Sequence, residues 1–395
     1  MVCQRVKLRN GHNRRMLGLM LIRPLLIGVA MMSTLARSAV AIEQTPAPKA
    51  AHAPRLEEQW KAKLNANTVY IVAGSPEETY LDITHDLAVL LSSDNLRILP
   101  IVGMGGAQNI RDVLYLKGVD IGITSTQMLR YFASTDELSA ALDQQLTYIT
   151  RLFPEEMHVV AGSGIKTIED LKDKKVNFSD AGSSTQITAR DVFGLLDIAV
   201  DEVNLSQADA IAAIKNGEIA ATVVFSGKPA GIFSRISADD NLHLLEIPYT
   251  RTLENIYLPG QLEQTLYPGL IDKGRTVQTI AVDAVLITNN WQPASDRRVA
   301  KFVELLFSRF AEFKKRPRHP KWQEVDLSKE LPGWQRFPAA QELLEQTKFD
   351  EFRARFKGGS VAARSAAEKQ QLFGSSASGR KVRASGHKPL VGAAT

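Results

Sequence analysis

The sequence contains a single cysteine, Cys3, and lacks the short motifs that mark common catalytic sites. It has no Gly-x-Ser-x-Gly nucleophile elbow and no His-Glu-x-x-His zinc motif. Its 7 histidines are scattered, and they form no Cys/His cluster with metal-ligand spacing. These absences argue against an enzyme that uses a thiol or a metal. We therefore predict no catalytic residue, no metal site and no cofactor.

Basic charge is concentrated at the two ends of the chain. The formal net charge is +5, but residues 1–41 hold seven basic and no acidic residues. Residues 357–395 carry a further surplus of six positive charges, so the central segment, residues 42–356, has a net charge of −8. A basic isoelectric point often indicates nucleic-acid binding. Here the folded part is acidic, and we expect no nucleic-acid partner.

The N-terminus has the features of a secretory signal peptide. Basic residues precede an apolar run from Met16 to Met32, and Ala39-Val40-Ala41 is a small-x-small cleavage site. We expect residues 1–41 to be removed and the protein to be periplasmic, where a chain without disulfides is common. Two alternatives stay open: translation could start at Met16, and an uncleaved signal could anchor the protein in the membrane.

One strand-and-helix pattern occurs twice. The first copy runs from Thr68 to Ser125 and the second from Lys175 to Gly227, each with a Gly/Ser turn before a helix. Alternating strands and helices indicate an α/β fold with mostly parallel sheets. Because ligands of such sheets bind beyond the carboxyl ends of strands, at helix N-termini, we predict two lobes facing one cleft that closes by a hinge.

The candidate ligand-binding residues follow from this duplication. Small, hydroxyl-bearing or amide-bearing residues at the helix starts and strand ends of each copy can donate hydrogen bonds to a bound carboxylate. Two further residues lie where the chain crosses between lobes. The predicted set is Ser75, Thr79, Tyr80, Gly106, Ala107 and Gln127 in lobe 1, Pro154 and Glu155 at the crossover, and Ser183, Ser184, Thr185, Thr188 and Ser226 in lobe 2. For any single one of these residues, helix capping or an ordinary turn is an equally good interpretation.

Composition divides the rest of the chain. The amphipathic pattern of Asp296–Phe313 predicts a packed helix. The Gly/Ser/Ala-rich, basic C-terminus lacks the apolar residues needed to fold. The predicted segments are a signal peptide (1–41), a flexible leader and linker (42–67), the first part of lobe 1 (68–150), lobe 2 (151–250), the return to lobe 1 (251–313), a C-terminal extension (314–356) and a disordered basic tail (357–395).

The order of several short motifs resembles that of TAXI-type solute-binding proteins, the extracytoplasmic receptors associated with TRAP transporters. The similar segments are Leu152–Val160, Gly182–Ala189, Gly106–Ile110, Asn216–Ala221 and Tyr267–Gly269, within roughly Thr68 to Phe313. The resemblance implies a type II periplasmic-binding-protein fold. It also implies that the protein captures a small organic acid or amino acid, such as a dicarboxylate or glutamate, and delivers it to a TRAP-type membrane permease.

The sequence departs from the family pattern at two places. Glu77 and Glu78 replace two glycines of the first loop. Facing the cleft, they would repel an anion and suit an ammonium group. The interpretation we favour from the sequence is that they complement the helix dipole from the solvent side. Lys228 replaces a small or apolar residue, and it could pair with a ligand carboxylate, pair with Glu77 or Glu78 across the cleft, or be solvated.

Two other functions fit the same fold. The long C-terminal extension could belong to a periplasmic ligand sensor or interaction protein that works without a transporter. An enzyme on the two-lobed fold is a third hypothesis, disfavoured by the missing acid/base residues.

Overall fold

The computed structural model describes residues 55–357, except for residues 77, 94, 136–137 and 291–292. The predicted signal peptide and nearly all of the predicted basic tail lie outside the described residues. The strands are β1 (Thr68–Val72), β2 (Arg97–Ile101), β3 (Ile121–Ser125), β4 (Leu146–Gly162), β5 (Lys175–Asn177), β6 (Asp201–Val203), β7 (Ala221–Ser226), β8 (Leu242–Leu244), β9 (Leu258–Glu263) and β10 (Thr276–Asn289).

Helices follow most of these strands. The α-helices are α1 (Leu56–Asn67), α2 (Thr79–Leu91), α3 (Gly106–Tyr115), α4 (Thr126–Ala133), α5 (Ser139–Gln145), α6 (Ser184–Leu195), α7 (Gln207–Lys215), α8 (Arg251–Glu254), α9 (Pro293–Ser308), α10 (Phe310–Phe313) and α11 (Pro338–Lys357). Short 3-10 helices span Glu169–Leu171, Ala238–Asp240 and Pro320–Glu324.

The described strands form one mixed sheet in the order β2-β1-β3-β10-β4-β7-β5-β6, with β8 on β4 and β9 on β10. β1 pairs in parallel with β2 and β3 at one end of the sheet. β5 pairs in parallel with β6 and β7 at the other end. The long antiparallel strands β4 and β10 join the two parallel groups. This is the type II periplasmic-binding-protein fold, so the predicted fold class is confirmed.

Each parallel group has its own hydrophobic core. In lobe 1, Ile83 and Phe302 are fully buried between the β1 side of the sheet and helices α2 and α9. In lobe 2, Phe178 and Phe193 pack together with a ring-centroid distance of 5.0 Å. Burial of these apolar side chains is the main force that keeps each lobe rigid. The lobes can therefore move as units about the strands between them.

The chain crosses between the lobes within β4 and β10. Phe153 belongs to the core of lobe 1 and Met157 to that of lobe 2, so the first crossing falls at residues 154–156. In the returning strand, β10, Val282 packs in the core of lobe 2 and Ala284 packs in the core of lobe 1. Residues 251–282 thus belong to lobe 2, whereas the sequence placed the return to lobe 1 at residue 251.

Two peripheral segments complete the described structure. Helix α1 lies in the predicted flexible leader, because the stretch after Pro54 has no glycine or proline and is rich in helix-forming residues. None of its residues is buried. The segment after α10 packs on lobe 1, where Trp322 is fully buried against Phe313 with a ring-centroid distance of 4.4 Å.

Candidate functional site

The helix starts of the two lobes meet at the carboxyl ends of the parallel strands. The Thr79 hydroxyl, in the first turn of α2, lies 2.9 Å from the Ser226 hydroxyl at the end of β7. It also donates a hydrogen bond of 3.0 Å to the Gly227 carbonyl. Thr79 and Ser226 were predicted on opposite walls of a cleft, and the structure brings them into direct contact. The two lobes are therefore closed against each other in this structure.

A second contact closes the neighbouring part of the cleft. The Ala107 amide, at the start of α3, donates a hydrogen bond of 2.8 Å to the Ser184 hydroxyl at the start of α6. Gly106 makes this approach possible. A Cβ atom at Gly106 would lie 2.9 Å from the Thr124 Oγ1 atom and 3.1 Å from the Ser184 Oγ atom, which is too close for an unstrained side chain. Gly106, predicted to bind the ligand, thus allows the start of α3 to approach the other lobe closely.

Gln127 contributes a third contact between the lobes. Its amide nitrogen donates a hydrogen bond of 2.9 Å to the Asp191 carboxylate on α6. Tyr257 donates a 2.5 Å hydrogen bond to the same carboxylate, and Arg130 lies 3.6 Å away. Gln127 therefore contacts the opposite lobe through its side chain.

Three of the predicted lobe 2 residues make hydrogen bonds within their own lobe. The Ser183 hydroxyl accepts from the Gln186 amide as the N-cap of α6. The Thr185 hydroxyl accepts from the Phe225 amide at 3.3 Å, and the Thr188 hydroxyl donates to a helix carbonyl at 2.8 Å. Ser183 therefore caps α6. That these three residues bind a ligand stays a prediction.

Between the lobes lies a cavity of about 210 Å³. Its walls come from the first loop and helix start of lobe 1 and from strand ends and a helix start of lobe 2. The lining residues are Ser75, Glu78, Ser179, Asp180, Ser206, Gln207, Val224, Ser226, Ala230 and Ile232. Only Ser75 and Ser226 among them belong to the predicted set. Glu78 was singled out from the sequence without being placed in that set, and Val224 lies within β7. The remaining residues could have been found from position, because they follow β5, begin α7 or follow β7.

Glu78 faces this cavity. Its carboxylate accepts a hydrogen bond of 3.2 Å from the Ser75 amide, and a Cβ atom at Gly105 would lie 3.6 Å from the same carboxylate oxygen. The interpretation that it faces solvent is wrong, because the first loop folds the side chain back toward the start of α3. Glu77 lies outside the described residues.

Lys228 lies beside the cleft without facing a ligand position. Its ammonium group contacts the Glu263 carboxylate at 2.8 Å and the Gln261 carbonyl at 2.8 Å, and it lies 3.9 Å from Glu156. None of the three roles considered from the sequence describes this arrangement. The reason is that the strand carrying Glu263, β9, packs on lobe 2 beside the crossing strands.

The two glutamates at the first crossing point to opposite sides of β4, as successive strand residues do. The buried Glu155 carboxyl accepts a hydrogen bond of 2.6 Å from the Tyr80 hydroxyl. The buried Glu156 carboxyl contacts the Lys321 ammonium group at 2.6 Å. Pro154 lies two residues before β4 begins to pair with β7 at Glu156. Pro154 and Glu155 thus lie at the crossing, with Glu155 directed at a helix of lobe 1.

A protein-family model described as the NMT1-like family matches residues 71–334, which include both lobes and both crossing strands. The chain belongs to the NMT1-like family. Among solved structures, it is similar to the periplasmic binding protein BugD, with 13% identity over 75% of this chain and 98% of that chain and a TM-score of 0.46.

Two other similar structures are described as complexes with amino acids. The amino acid ABC transporter substrate-binding protein AbpA of Streptococcus pneumoniae, bound to L-arginine, is 14% identical over 67% of this chain and 98% of that chain, with a TM-score of 0.38. The GluR0 ligand-binding core with L-glutamate is 16% identical over 64% and 98%, with a TM-score of 0.40. At these TM-scores, neither structure indicates which solute the NMT1-like protein binds.

No described helix is long and apolar enough to cross a membrane. Within the same residues, no group of three or more His, Cys, Asp or Glu side chains is arranged to hold a metal ion.

Burial raises the pKa of Glu155 well above its ordinary value of 4.5. The Tyr80 hydrogen bond opposes this shift, and the charges of Glu78 and Glu156 add to it. Near neutral pH, the folded protein therefore favours the protonated carboxyl more strongly than the unfolded chain does.

A pH dependence of stability follows from this shift. Since folding retains the Glu155 proton, the contribution of this group to stability is lost as pH rises from about 4.5 through the raised pKa. In Glu155→Gln this titration is absent. As pH rises through that window, we expect the free energy of unfolding of the variant to increase relative to that of the native protein by up to about 1.4 kcal/mol per pH unit. Urea unfolding of both proteins across the window measures the gain. A constant difference in the free energy of unfolding would contradict the assignment.

Proposed function

We propose that this chain is an extracytoplasmic solute-binding protein that captures a small organic acid or amino acid by hinge closure. The observation that carries the proposal is the cavity between the lobes, with one wall from Ser75 and Glu78 and the other from residues such as Asp180 and Ser226. Such a cavity exists only while the lobes are closed, so a solute held in it stabilises the closed arrangement.

The contacts between the lobes suit a protein that must also open. Thr79 with Ser226 and Ala107 with Ser184 form hydrogen bonds between small polar groups, which water can replace when the lobes separate. The contacts of Gln127 and Arg130 with Asp191 must separate as well. A solute with affinity only for the closed form shifts the equilibrium toward closure. The strands β4 and β10 supply the hinge.

We propose binding without catalysis. The described residues that line the cavity include no histidine, cysteine or lysine that could activate a serine or serve as a nucleophile. Serine hydroxyls, one glutamine side chain and two carboxylates remain, and these groups recognise a polar solute.

The more specific assignment, to a receptor type, a compartment and a transporter, rests on the sequence motifs. We propose that the protein is of the TAXI type, is exported to the periplasm, and delivers its solute to a TRAP-type permease. A large membrane permease encoded beside the gene, and solute uptake that requires both proteins, would support this partnership. Uptake that proceeds equally without this protein would contradict it.

A cavity-filling variant tests the proposed site. In Ser226→Phe, the ring should fill the cavity and hold the lobes apart, so we expect solute affinity to fall by about 100-fold or more. Calorimetric titration measures the loss for any amino acid or organic acid that binds the native protein. Ser163→Phe, on an exposed turn of lobe 2, is the matched control. Equal affinities of the two variants would place the binding site elsewhere.

A further inference from the structure

One side of α6 lies against the opposite lobe. Helix α6 belongs to lobe 2, and it contacts both α3 and α4 of lobe 1. Three of its residues that make contacts with lobe 1 are Ser184, Ile187 and Asp191. Their spacing of three and four residues places them on the same side of the helix, over a length of roughly 10 Å. We call the surface formed by these three residues the α6 face.

The centre of the α6 face is apolar. Ile187 is half-buried, and it packs against the lobe 1 cluster that contains Ala107, Ile110 and Met128. Because that cluster belongs to the other lobe, separation of the lobes returns apolar surface of Ile187 to water. This transfer is unfavourable, so the Ile187 contact opposes opening.

Polar contacts lie on both sides of Ile187 along the helix. The Ser184 hydroxyl accepts a hydrogen bond of 2.8 Å from an amide of α3, and the Asp191 carboxylate accepts one of 2.9 Å from Gln127. Arg130 lies 3.6 Å from the same carboxylate, but both side chains are partly exposed and water screens their attraction. On opening, water replaces these polar partners, so their net contribution to closure is modest. They fix the position at which α6 meets lobe 1.

The Asp191 side chain is also held from its own lobe. The Tyr257 hydroxyl donates a hydrogen bond of 2.5 Å to the carboxylate oxygen that accepts from Gln127. Tyr257 is buried in the core of lobe 2. Since this hydrogen bond lies within lobe 2, it can orient the carboxylate toward lobe 1 before the lobes meet.

The α6 face is separate from the cavity. The cavity lining that the structure describes contains no residue of the α6 face. Any effect of this face on a solute in the cavity must therefore act through the position of the lobes. When a solute binds only the closed form, the apparent affinity is the affinity of that form multiplied by the closed fraction.

We propose that the α6 face, centred on Ile187, holds the lobes together independently of the solute and so sets the affinity of the cavity from outside it. Ile187 and Asp191 are positioning residues for closure. The consequence for solute affinity rests on the proposed function, whereas the effect on the separation of the lobes does not.

Small-angle X-ray scattering of the mature protein without solute tests the effect on the lobes. Ile187→Ala loses most of the apolar contact, so we expect a larger radius of gyration than in the native protein. The matched control is Ile211→Ala, because Ile211 is also half-buried but packs against an apolar cluster of its own lobe. Equal radii of gyration in the two variants would overturn the inference, whether or not the protein binds a solute. Urea unfolding verifies that both variants are folded.

Solute affinity tests the consequence for binding. For an amino acid or organic acid that binds the native protein, calorimetry should show about 5- to 20-fold lower affinity in Ile187→Ala and nearly native affinity in Ile211→Ala. Saturating solute should return the radius of gyration of Ile187→Ala to the native value, which a general loss of structure would not allow. Equal affinities of the two variants would overturn this inference and leave the proposed function standing. If no such compound binds the folded native protein, the proposed function fails and the scattering result alone decides the inference.

A second pair of variants tests the polar edge of the α6 face. Asp191→Asn removes the attraction to Arg130 but leaves an amide oxygen that can accept from Gln127, so we expect affinity to fall by only about 2- to 5-fold. Asp197→Asn removes the same charge from an exposed residue of lobe 2 and should leave the affinity unchanged. Equal affinities of these two variants would overturn the role of Asp191.

Discussion

Replacing Asp86 with alanine should lower the free energy of unfolding by about 3–5 kcal/mol. The buried Asp86 carboxylate accepts hydrogen bonds of 2.9 Å from both the His319 amide and the Trp322 indole, and the Arg318 guanidinium lies 3.3 Å away. Asp86 is on α2 and its partners are on the C-terminal extension. Its removal leaves buried donors without an acceptor, which is the costly way to lose hydrogen bonds.

The matched control is Asp82→Ala. Asp82 lies one turn earlier on α2 with an exposed side chain, so its replacement should cost less than about 1 kcal/mol. Urea unfolding compares both variants with the native protein. Equal losses in the two variants would mean that Asp86 does not hold the extension.

Replacing Lys321 with methionine is expected to cost about 3–5 kcal/mol as well, for a different reason. The Lys321 side chain is fully buried, and its ammonium group contacts Glu156 at 2.6 Å and Glu324 at 2.9 Å. Methionine fills similar space without charge, so Glu156 loses its closest cation while it stays buried. Urea unfolding measures the cost.

A double variant separates charge from packing. If the cost arises from the uncompensated Glu156 charge, then Glu156→Gln combined with Lys321→Met should be more stable than Lys321→Met alone, by about 1–3 kcal/mol. Strictly additive losses in the two single variants would show instead that the contact contributes no coupling.

These contacts give the C-terminal extension a structural role. Through Asp86 it is attached to α2 of lobe 1, and through Lys321 it reaches the crossing strand β4. Gly227 of lobe 2 lies against this segment too, because a Cβ atom there would be 3.1 Å from the Lys321 Cγ atom. The extension therefore contacts the hinge region through Lys321.

Much of the fold could be predicted because the strands have strong local signals. The apolar run at Thr68–Ala73 contains β1, and the amphipathic pattern of Asp296–Phe313 falls on α9 and α10, where Val299 and Phe302 are buried. Strands with weak sequence signals could not be predicted. The three-residue β6 and the polar β9 were missed, because short strands are formed by pairing with neighbours and show little periodicity of their own.

The candidate site was predictable only to the level of loops. Duplication placed Thr79 and Ser226 on facing walls, and the structure pairs them. The direction of the Glu78 side chain depends on the conformation of its loop, which no residue pattern specifies. Lys321 looks like an ordinary surface lysine in sequence, and its burial depends on Glu156, 165 residues away along the chain.

A crystal structure of the protein saturated with its tightest-binding solute tests the central claim most directly. The account predicts density for the solute in the cavity between the lobes, against residues such as Ser75 and Ser226, with the lobes closed around it. A solute found instead in the larger surface groove of lobe 2, lined by residues such as His243 and Arg275, with the inter-lobe cavity empty, would contradict the account.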